Sequence, residues 1–148
     1  MSVFRRILVP IDGSDPSNAA VALALRVARD GTTSELVFCH VVDTVADFRA
    51  ATEAQMLGAA QDLIDEDKAA GAKIVEAAVK TAKDAGLDGT GEVLDGTPAK
   101  TIVERARDGG FDLIITGTHG RRGIERMFLG STAEAILRNA SVPVLAVK

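Results

Sequence analysis

The sequence predicts an α/β fold, a three-layer sandwich in which helices cover both faces of a parallel sheet. Five short apolar runs alternate with segments in which apolar residues recur every three or four positions, as strands alternating with helices do. The runs are continuous rather than interrupted by polar residues, which is typical of parallel strands buried on both faces. A five-stranded sheet of this type commonly has the order 3-2-1-4-5 with right-handed crossovers. The 148 residues are enough to bury a sizeable core, so we expect one domain over residues 1–148.

Each of the five apolar runs is predicted to form a strand. The third is the weakest, because it contains Gly91 and Glu92. The predicted strands are 7–11, 36–42, 91–94, 113–116 and 142–147.

The segments between the strands have helical spacing. The first helix has Pro16 in its first turn, where proline is tolerated. The second is long, over residues 53–85, and we expect residues 43–52 before it to be irregular surface. The third follows Thr97 as N-cap and stops at Gly109, and the fourth spans 131–139. The predicted inward residues are Ala20, Leu23, Ala24, Val27 and Ala28 in the first helix and Ala135, Ile136 and Leu137 in the fourth.

Composition and charge exclude several classes of function. The net charge is −4, so nonspecific attraction to nucleic acid or to anionic membranes is not expected. Cys39 is the one cysteine, so an intrachain disulfide cannot form. No apolar run approaches the length of a bilayer, and the first residues lack a secretory pattern. We expect a cytoplasmic protein with neither a nucleic-acid nor a membrane partner.

Two turn segments are predicted to meet at one edge of the sheet. In the order 3-2-1-4-5 the switch point lies between the first and fourth strands, and ligands bind at the carboxyl ends there. The first strand ends in Asp12-Gly13-Ser14, and the fourth runs into the segment that begins at Gly117. This convergence predicts a ligand site.

The segment from Gly117 to Thr132 has the character of a phosphate site. Glycines let backbone N–H groups approach a ligand, and a helix N-terminus adds free donors and partial positive charge. Ser131 and Glu134 also fit a capping box, which explains both without a ligand. A capping serine can still turn its hydroxyl to a phosphate, so we expect the segment to hold the ribose and phosphates of a nucleotide.

Several polar residues allow two interpretations. Asp12 belongs either to a simple turn, with Asp15 as N-cap, or to the site, where it contacts a nucleotide or a water on a magnesium ion. The arginines of the loop either face solvent or contact phosphate. His40 and His119 are interpreted as packing residues, and His119 in addition as a ribose or phosphate contact rather than a base. The arginines concerned are Arg121, Arg122 and Arg126.

Several catalytic motifs are absent from the sequence. It contains no G-x-x-x-x-G-K-[ST] loop, no G-x-G-x-x-G fingerprint and no G-x-S-x-G elbow. No cysteine–histidine cluster has the spacing of a metal site. We therefore predict neither catalytic nor metal-ligating residues.

The pattern G-x2-G-x9-G-[ST] is met by Gly117, Gly120, Gly130 and Ser131. With the opening segment 7–14, the strand end 40–42 and the closing segment 142–147, it makes the chain resemble the ATP-binding subgroup of the universal stress protein family, from residue 4 to residue 148. The resemblance implies an adenine nucleotide alpha hydrolase-like or flavodoxin-like architecture. It also implies ATP as ligand, or ADP or AMP, with magnesium or manganese on the phosphates.

The resemblance assigns a ligand contact to each residue of the pattern. Three residues would line the adenine and ribose, three the ribose and α-phosphate, and three the remaining phosphates. In that order they are Pro10, Asp12 and Val41; Gly117, His119 and Gly120; and Gly130, Ser131 and Thr132.

The last strand is predicted to form a homodimer. Every residue of 142–147 is apolar, and proteins seldom leave such an edge open. Pro143 lacks an N–H and therefore suits an edge strand. The resemblance implies the same interface.

The leading hypothesis is an ATP-binding stress-response or signalling homodimer whose nucleotide state is read by a protein partner, here unknown. A slow ATPase or phosphotransfer protein using the same pocket is the alternative. A receiver domain fits poorly, because it needs a clustered acidic pair and a lysine on the loop after the last strand, whereas Lys148 is simply the terminus. The glycine pattern argues against a dimerisation module with an empty pocket.

Overall fold

The computed structural model describes residues 4–29, 33, 35–118 and 129–148, and every structural statement below concerns these residues. Strands and helices alternate from the first strand to the last. In chain order the elements are β1 (Arg6–Pro10), α1 (Asp15–Arg29), β2 (Glu35–Val42), α2 (Thr44–Glu53), a 3₁₀ turn (Leu57–Ala59), α3 (Ala60–Asp84), β3 (Thr90–Asp95), α4 (Pro98–Asp108), β4 (Leu113–Gly117), α5 (Ser131–Asn139) and β5 (Val144–Val147).

The sheet confirms the predicted fold class. It has five parallel strands in the order β3-β2-β1-β4-β5. In the central pairing Ile7 lies opposite Leu36 on one side and opposite Leu113 on the other. The carboxyl ends of β1 and β4 are therefore neighbours, and the crossover direction changes between them.

Helices cover both faces of the sheet, which gives the three layers. On one face, small residues of α1 and α3 pack against β1 and β2 around Phe38, which is fully buried. On the other face, Ile102 of α4 and Ile136 of α5 pack against Leu8 and Ile114. The continuous apolar strands are explained by this two-sided burial.

One helix was not predicted from the sequence. Residues 43–52 were expected to be irregular, but α2 occupies most of them, and the long helix predicted over 53–85 begins only at Ala60. The Asp43 side chain caps α2 by accepting from Ala46 N at 3.0 Å. Helix α2 was missed because only Ala51 among its residues is buried, so its apolar periodicity is weak.

Most other boundaries agree with the prediction within two residues. Thr97 is the N-cap of α4, although its side chain makes no capping hydrogen bond. Strand β5 begins at Val144 rather than at residue 142, and the Pro143 carbonyl before it accepts from Ile114 N at 3.0 Å.

The inward faces of two helices differ in part from the prediction. In α5 the buried residues are Ala133 and Ile136, whereas Leu137 is 43% exposed, so its predicted inward position was wrong. In α1 the predicted residues Ala20, Ala24 and Ala28 are buried, but Leu23 and Val27 are only partly buried, and further residues complete the buried face: Ser17, Val21 and Leu25. None of the helices in the described ranges is long and apolar enough to cross a membrane.

Candidate functional site

A cleft of about 550 Å³ opens at the carboxyl ends of the central strands. It lies where β1 and β4 are adjacent, which is the predicted switch point. Two of the predicted contact residues, His119 and Gly120, and the loop arginines Arg121, Arg122 and Arg126 lie outside the described residues. The other predicted contact residues all line this cleft: Pro10, Asp12, Val41, Gly117, Gly130, Ser131 and Thr132.

Asp12 forms a tight turn between β1 and α1. Its Oδ1 accepts from Ser14 N at 2.9 Å, and its own N–H donates to Ser17 Oγ at 3.0 Å. Gly13 has φ of +81°, in the region that favours glycine. Ser14 is the N-cap of α1, since its carbonyl accepts from Asn18 N and its hydroxyl from Ser17 N, so the predicted cap Asp15 was wrong.

Gly117 is required by packing, independently of any ligand. A Cβ at this position would lie 2.8 Å from the carbonyl carbon of Pro16 and 2.9 Å from its carbonyl oxygen. Since real Cβ atoms do not approach backbone so closely, a side chain here would displace the first turn of α1. The first glycine of the pattern therefore holds the two walls of the cleft together.

The N-terminus of α5 faces the cleft without a side-chain cap among the described residues. The N-cap is Gly130, whose N–H donates to Thr118 O at 2.6 Å. Ser131 is the first helical residue, and Glu134 pairs with Arg138, so the predicted capping box was wrong. The first N–H groups of a helix have no acceptor within it, and a glycine cap offers no side chain to satisfy them. This end of the cleft is therefore suited to an anion.

His40, which was interpreted as a packing residue, also makes a hydrogen bond and lines the cleft. Its Nδ1 lies 2.8 Å from the carbonyl oxygen of Ile11, which can only accept, so Nδ1 carries the proton. The ring packs against Gly71 of α3, where a Cβ would lie 2.6 Å from the His40 Cδ2. His40 also lines the cleft, and it fixes the residue that precedes Asp12.

Three carboxylates at the cleft were not foreseen. Asp43, Asp47 and Asp67 lie on its α2 and α3 side. Burial first, and then the neighbouring carboxylates of Asp67 and Asp43, raise the pKa of Asp47 from 3.8 to about 6. No sequence motif brings the three together, because Asp67 belongs to a different helix from Asp47.

The described residues offer little chemistry beyond binding. Cys39 lines the cleft, but burial raises the pKa of its thiol to about 12, so it stays protonated and inert. No group of three or more His, Cys, Asp or Glu side chains in the described ranges has the arrangement of a metal site.

A second cavity, of about 590 Å³, lies between α1 and α3. Most of its lining is aliphatic, including Val21, Leu25 and Ile74, and Lys73 is its one charged residue. A ligand there would find few hydrogen-bond partners, so the cleft at the strand ends is the candidate site.

The family model of the universal stress protein family matches residues 4–148. The chain belongs to the universal stress protein family. Universal stress protein MJ0531 of Methanocaldococcus jannaschii is 35% identical over 147 residues, which cover 99% of this chain and 84% of that protein.

Solved structures of the family share the fold. The universal stress protein UspA from Lactobacillus plantarum has a TM-score of 0.79 at 27% identity and covers 98% of both chains. The universal stress protein from Archaeoglobus fulgidus in complex with dAMP has a TM-score of 0.71 at 20% identity and covers 100% of both chains. At that identity the second structure is a guide to the fold alone.

Proposed function

We propose that this universal stress protein binds an adenine nucleotide, ATP in the first place, in the cleft at the carboxyl ends of β1, β2 and β4. The observation that carries the proposal is the meeting of the Asp12 turn and the uncapped N-terminus of α5 in one cavity of about 550 Å³. That volume suits a small-molecule ligand. The fold is compatible with such a ligand, since the Archaeoglobus fulgidus protein holds dAMP.

The polarity of the cleft favours one orientation of the nucleotide. The α5 N-terminus lies beside β4, where Gly130 is bonded to Thr118, whereas Val41 and Asp43 lie at the end of β2. Because β1 separates β2 from β4, these two ends are roughly 10 Å apart at ordinary strand spacing. Phosphates belong at the donor-rich end and the base at the β2 end, next to Val41.

The phosphate end would be built from helix donors and hydroxyls. Ser131 and Thr132 are exposed in the first turn of α5, so both hydroxyls and the adjacent N–H groups can reach an anion. The proposal includes His119 and Gly120 as nucleotide contacts on the sequence pattern alone, because the resemblance assigns both residues to the nucleotide.

Magnesium or manganese would be held mainly by the phosphates. The described residues provide no cluster of ligands, and Asp12 is the carboxylate at the phosphate side of the cleft. Since Asp12 Oδ1 already accepts from Ser14 N, this carboxylate would bind the ion through water. When bound, the ion supplies charge neutralisation for the phosphates.

The same geometry favours binding over hydrolysis. Asp12 is the carboxylate at the phosphate side of the cleft, and its Oδ1 is engaged in the turn. Phosphate transfer depends on a placed nucleophile as well as on charge stabilisation. We therefore propose a nucleotide-dependent signalling protein rather than an efficient ATPase.

The proposal includes a homodimer through β5. This edge strand is apolar, and Leu145 is 40% exposed in the single chain. Antiparallel pairing with a twofold mate would cover the strand and satisfy its open edge. A partner protein would then read whether the nucleotide is bound.

The direct test is to identify what leaves the purified protein on denaturation. The chain has no Trp and no Tyr, so bound adenine would dominate the near-ultraviolet absorbance, and mass spectrometry would identify it. We expect an adenine nucleotide, or stoichiometric uptake of added ATP when none co-purifies. A protein that is empty and takes up no adenine nucleotide would refute the proposal.

A further inference from the structure

Exposed apolar side chains are concentrated around helix α2. Among the described residues, seven large apolar side chains are at least 38% exposed. Four of the seven lie in α2, in the turn after it or at the start of α3: Val45, Phe48, Met56 and Leu63. Single apolar residues are normal on a protein surface, whereas a concentration of them marks an interaction site.

Part of this apolar surface is a groove between two helices. Side chains of α2 and Ile64 of α3 line an open groove of about 520 Å³, which we call the α2–α3 groove. The α2 residues are Thr44, Val45, Phe48 and Arg49. Because Val45, Phe48 and Arg49 are three and four positions apart, they share one face of α2. Grooves of this kind accept the apolar face of a helix, whose side chains at i, i+3, i+4 and i+7 fill them.

The chain around the groove carries a strong negative charge. Residues 43–67 contain seven acids and one base, Arg49, which leaves a net charge of −6, whereas the whole chain has −4. The acids are Asp43, Asp47, Glu53, Asp62, Asp65, Glu66 and Asp67. The first two are partly buried and the other five are exposed. The surface around α2 is therefore the acidic region of a protein that is otherwise close to neutral.

These charges are not neutralised by neighbouring bases. No salt bridge within the described ranges includes any of the seven acids. Lys68, the next base along the chain, is paired with Asp95 of β3 at 3.0 Å. On α3, Glu66 and Asp67 follow Leu63 by three and four positions and so lie on the same helix face. Apolar and acidic side chains thus form one continuous surface.

The charge decides which occupant fits the groove. A twofold contact between two copies of this chain would place the same acidic surface on both sides, and like charges across an interface are costly. Nucleic acid and anionic membranes would be repelled for the same reason. A basic segment is attracted to the surface and can place apolar residues in the groove.

We infer that the α2–α3 groove docks a basic amphipathic helix of a partner protein. The apolar face of that helix would lie on Val45, Phe48 and Ile64, and its Lys and Arg side chains would face the surrounding acids. This docking surface stands without the nucleotide site. Only the reading of a nucleotide by such a partner rests on the proposed function: α2 lines the groove with Val45 and Phe48 and the cleft with Ala46 and Asp47.

Binding of a defined peptide to the full chain tests the surface. The probe is a peptide of leucine and lysine that forms an amphipathic helix, with one tryptophan on its apolar face. Because the chain has no Trp and no Tyr, the emission of that tryptophan reports the peptide alone. We expect saturable binding with a blue shift of the emission, as the tryptophan enters an apolar groove, and weaker binding as salt is added. Absence of binding at low salt would overturn the inference.

Two control peptides separate shape from charge. In one, the same residues are shuffled so that the leucines no longer share a helix face. In the other, glutamate replaces every lysine. We expect neither to bind. Equal binding of the shuffled peptide would show attraction by charge alone and overturn the groove, and binding of the glutamate peptide would overturn the charge complementarity.

Phe48→Ser and Leu137→Ser are matched variants for the apolar contact. Phe48 is 57% exposed in the groove and Leu137 is 43% exposed on α5, so both variants should fold. We expect Phe48→Ser to bind the lysine peptide about tenfold more weakly or worse, as for an aromatic anchor, and Leu137→Ser to bind it like the parent. Val45→Ser, 51% exposed, serves as a second groove variant. Equal affinity of the groove variants and Leu137→Ser would overturn the inference.

Glu66→Gln and Glu76→Gln are matched variants for the charge. Both residues are exposed on α3, Glu66 beside the groove and Glu76 more than two turns further along the helix. We expect roughly twofold weaker peptide binding for Glu66→Gln and no change for Glu76→Gln. A larger loss in Glu76→Gln than in Glu66→Gln would place the peptide elsewhere and overturn the assignment.

Parallel titrations with the lysine peptide and with ATP distinguish this inference from the proposed function. Peptide binding by a protein that takes up no adenine nucleotide would support the docking surface and refute the nucleotide function alone. Nucleotide uptake without peptide binding would refute the docking surface alone.

Discussion

Gly117 at the end of β4 lies against Pro16 in the first turn of α1, with room for no side chain between them. A Cβ on Gly117 would come within 3.0 Å of three Pro16 atoms, two of them backbone. The contact sets the distance between β4 and the turn that carries Asp12. A glycine that the sequence suggests for ligand approach thus also fixes the shape of the site.

Gly117→Ala should therefore destabilise the protein, by about 1–3 kcal/mol, as is usual for overpacking against a rigid neighbour. The free energy of unfolding from urea titration measures this. Gly58→Ala is the control, because a Cβ at Gly58 meets nothing within 4 Å. Equal free energies of unfolding for Gly117→Ala and Gly58→Ala would contradict the prediction. They would show that the first turn of α1 moves away at Pro16 at no cost.

Asp47→Asn should change how stability depends on pH. Because the folded-state pKa of Asp47 is raised from 3.8 to about 6, its contribution to stability is fully present below 3.8 and is lost as the pH rises through 6. The asparagine of the variant does not titrate in this range. The urea midpoint of Asp47→Asn should therefore rise relative to that of the parent between pH 4 and pH 7. A constant difference between the two midpoints would contradict the raised pKa.

Asp12→Asn separates a binding protein from an ATPase. The amide oxygen of asparagine can still accept from Ser14 N, so we expect the turn and the fold to be retained. Phosphate release from ATP should be slow in the parent and about as slow in the variant. Rapid release by the parent that disappears in the variant would establish the ATPase alternative.

Leu145→Lys tests the dimer. Leu145 is 40% exposed on the edge strand β5, so a charged residue there should disturb the interface more than the fold. Light scattering should show a dimer for the parent and a monomer for the variant, with similar helix content. Leu137→Lys, on α5 and 43% exposed, is the control and should remain dimeric. A monomeric parent would contradict the proposed interface.

The sheet could be predicted from the sequence because burial on both faces leaves continuous apolar runs, as at Leu113–Gly117. Both walls of the cleft could be located for the same reason, since strand order brings the ends of β1 and β4 together. These features depend on local composition and on a general rule of parallel sheets.

The features of the fold and the site that could not be predicted depend on contacts between distant segments, and such contacts leave no local pattern in the sequence. Helix α2 buries only Ala51, so its sequence looks like surface. The meeting of Asp47 and Asp67 at the cleft and the packing of His40 on Gly71 each involve separate elements. The capping box failed because Gly130, rather than Ser131, is the N-cap, and a box motif does not fix the residue at which a helix begins.

Calorimetric titration of ATP into the parent and into Gly130→Val tests the central claim most directly. Gly130 has φ of −61° and ψ of 153°, a conformation that valine adopts readily, so the variant should fold. Its side chain would project at the α5 N-terminus, where the phosphates are proposed to lie. We predict stoichiometric binding by the parent, weakened about tenfold or more in the variant. Absence of ATP binding by the nucleotide-free parent, or equal affinity of the two proteins, would contradict it.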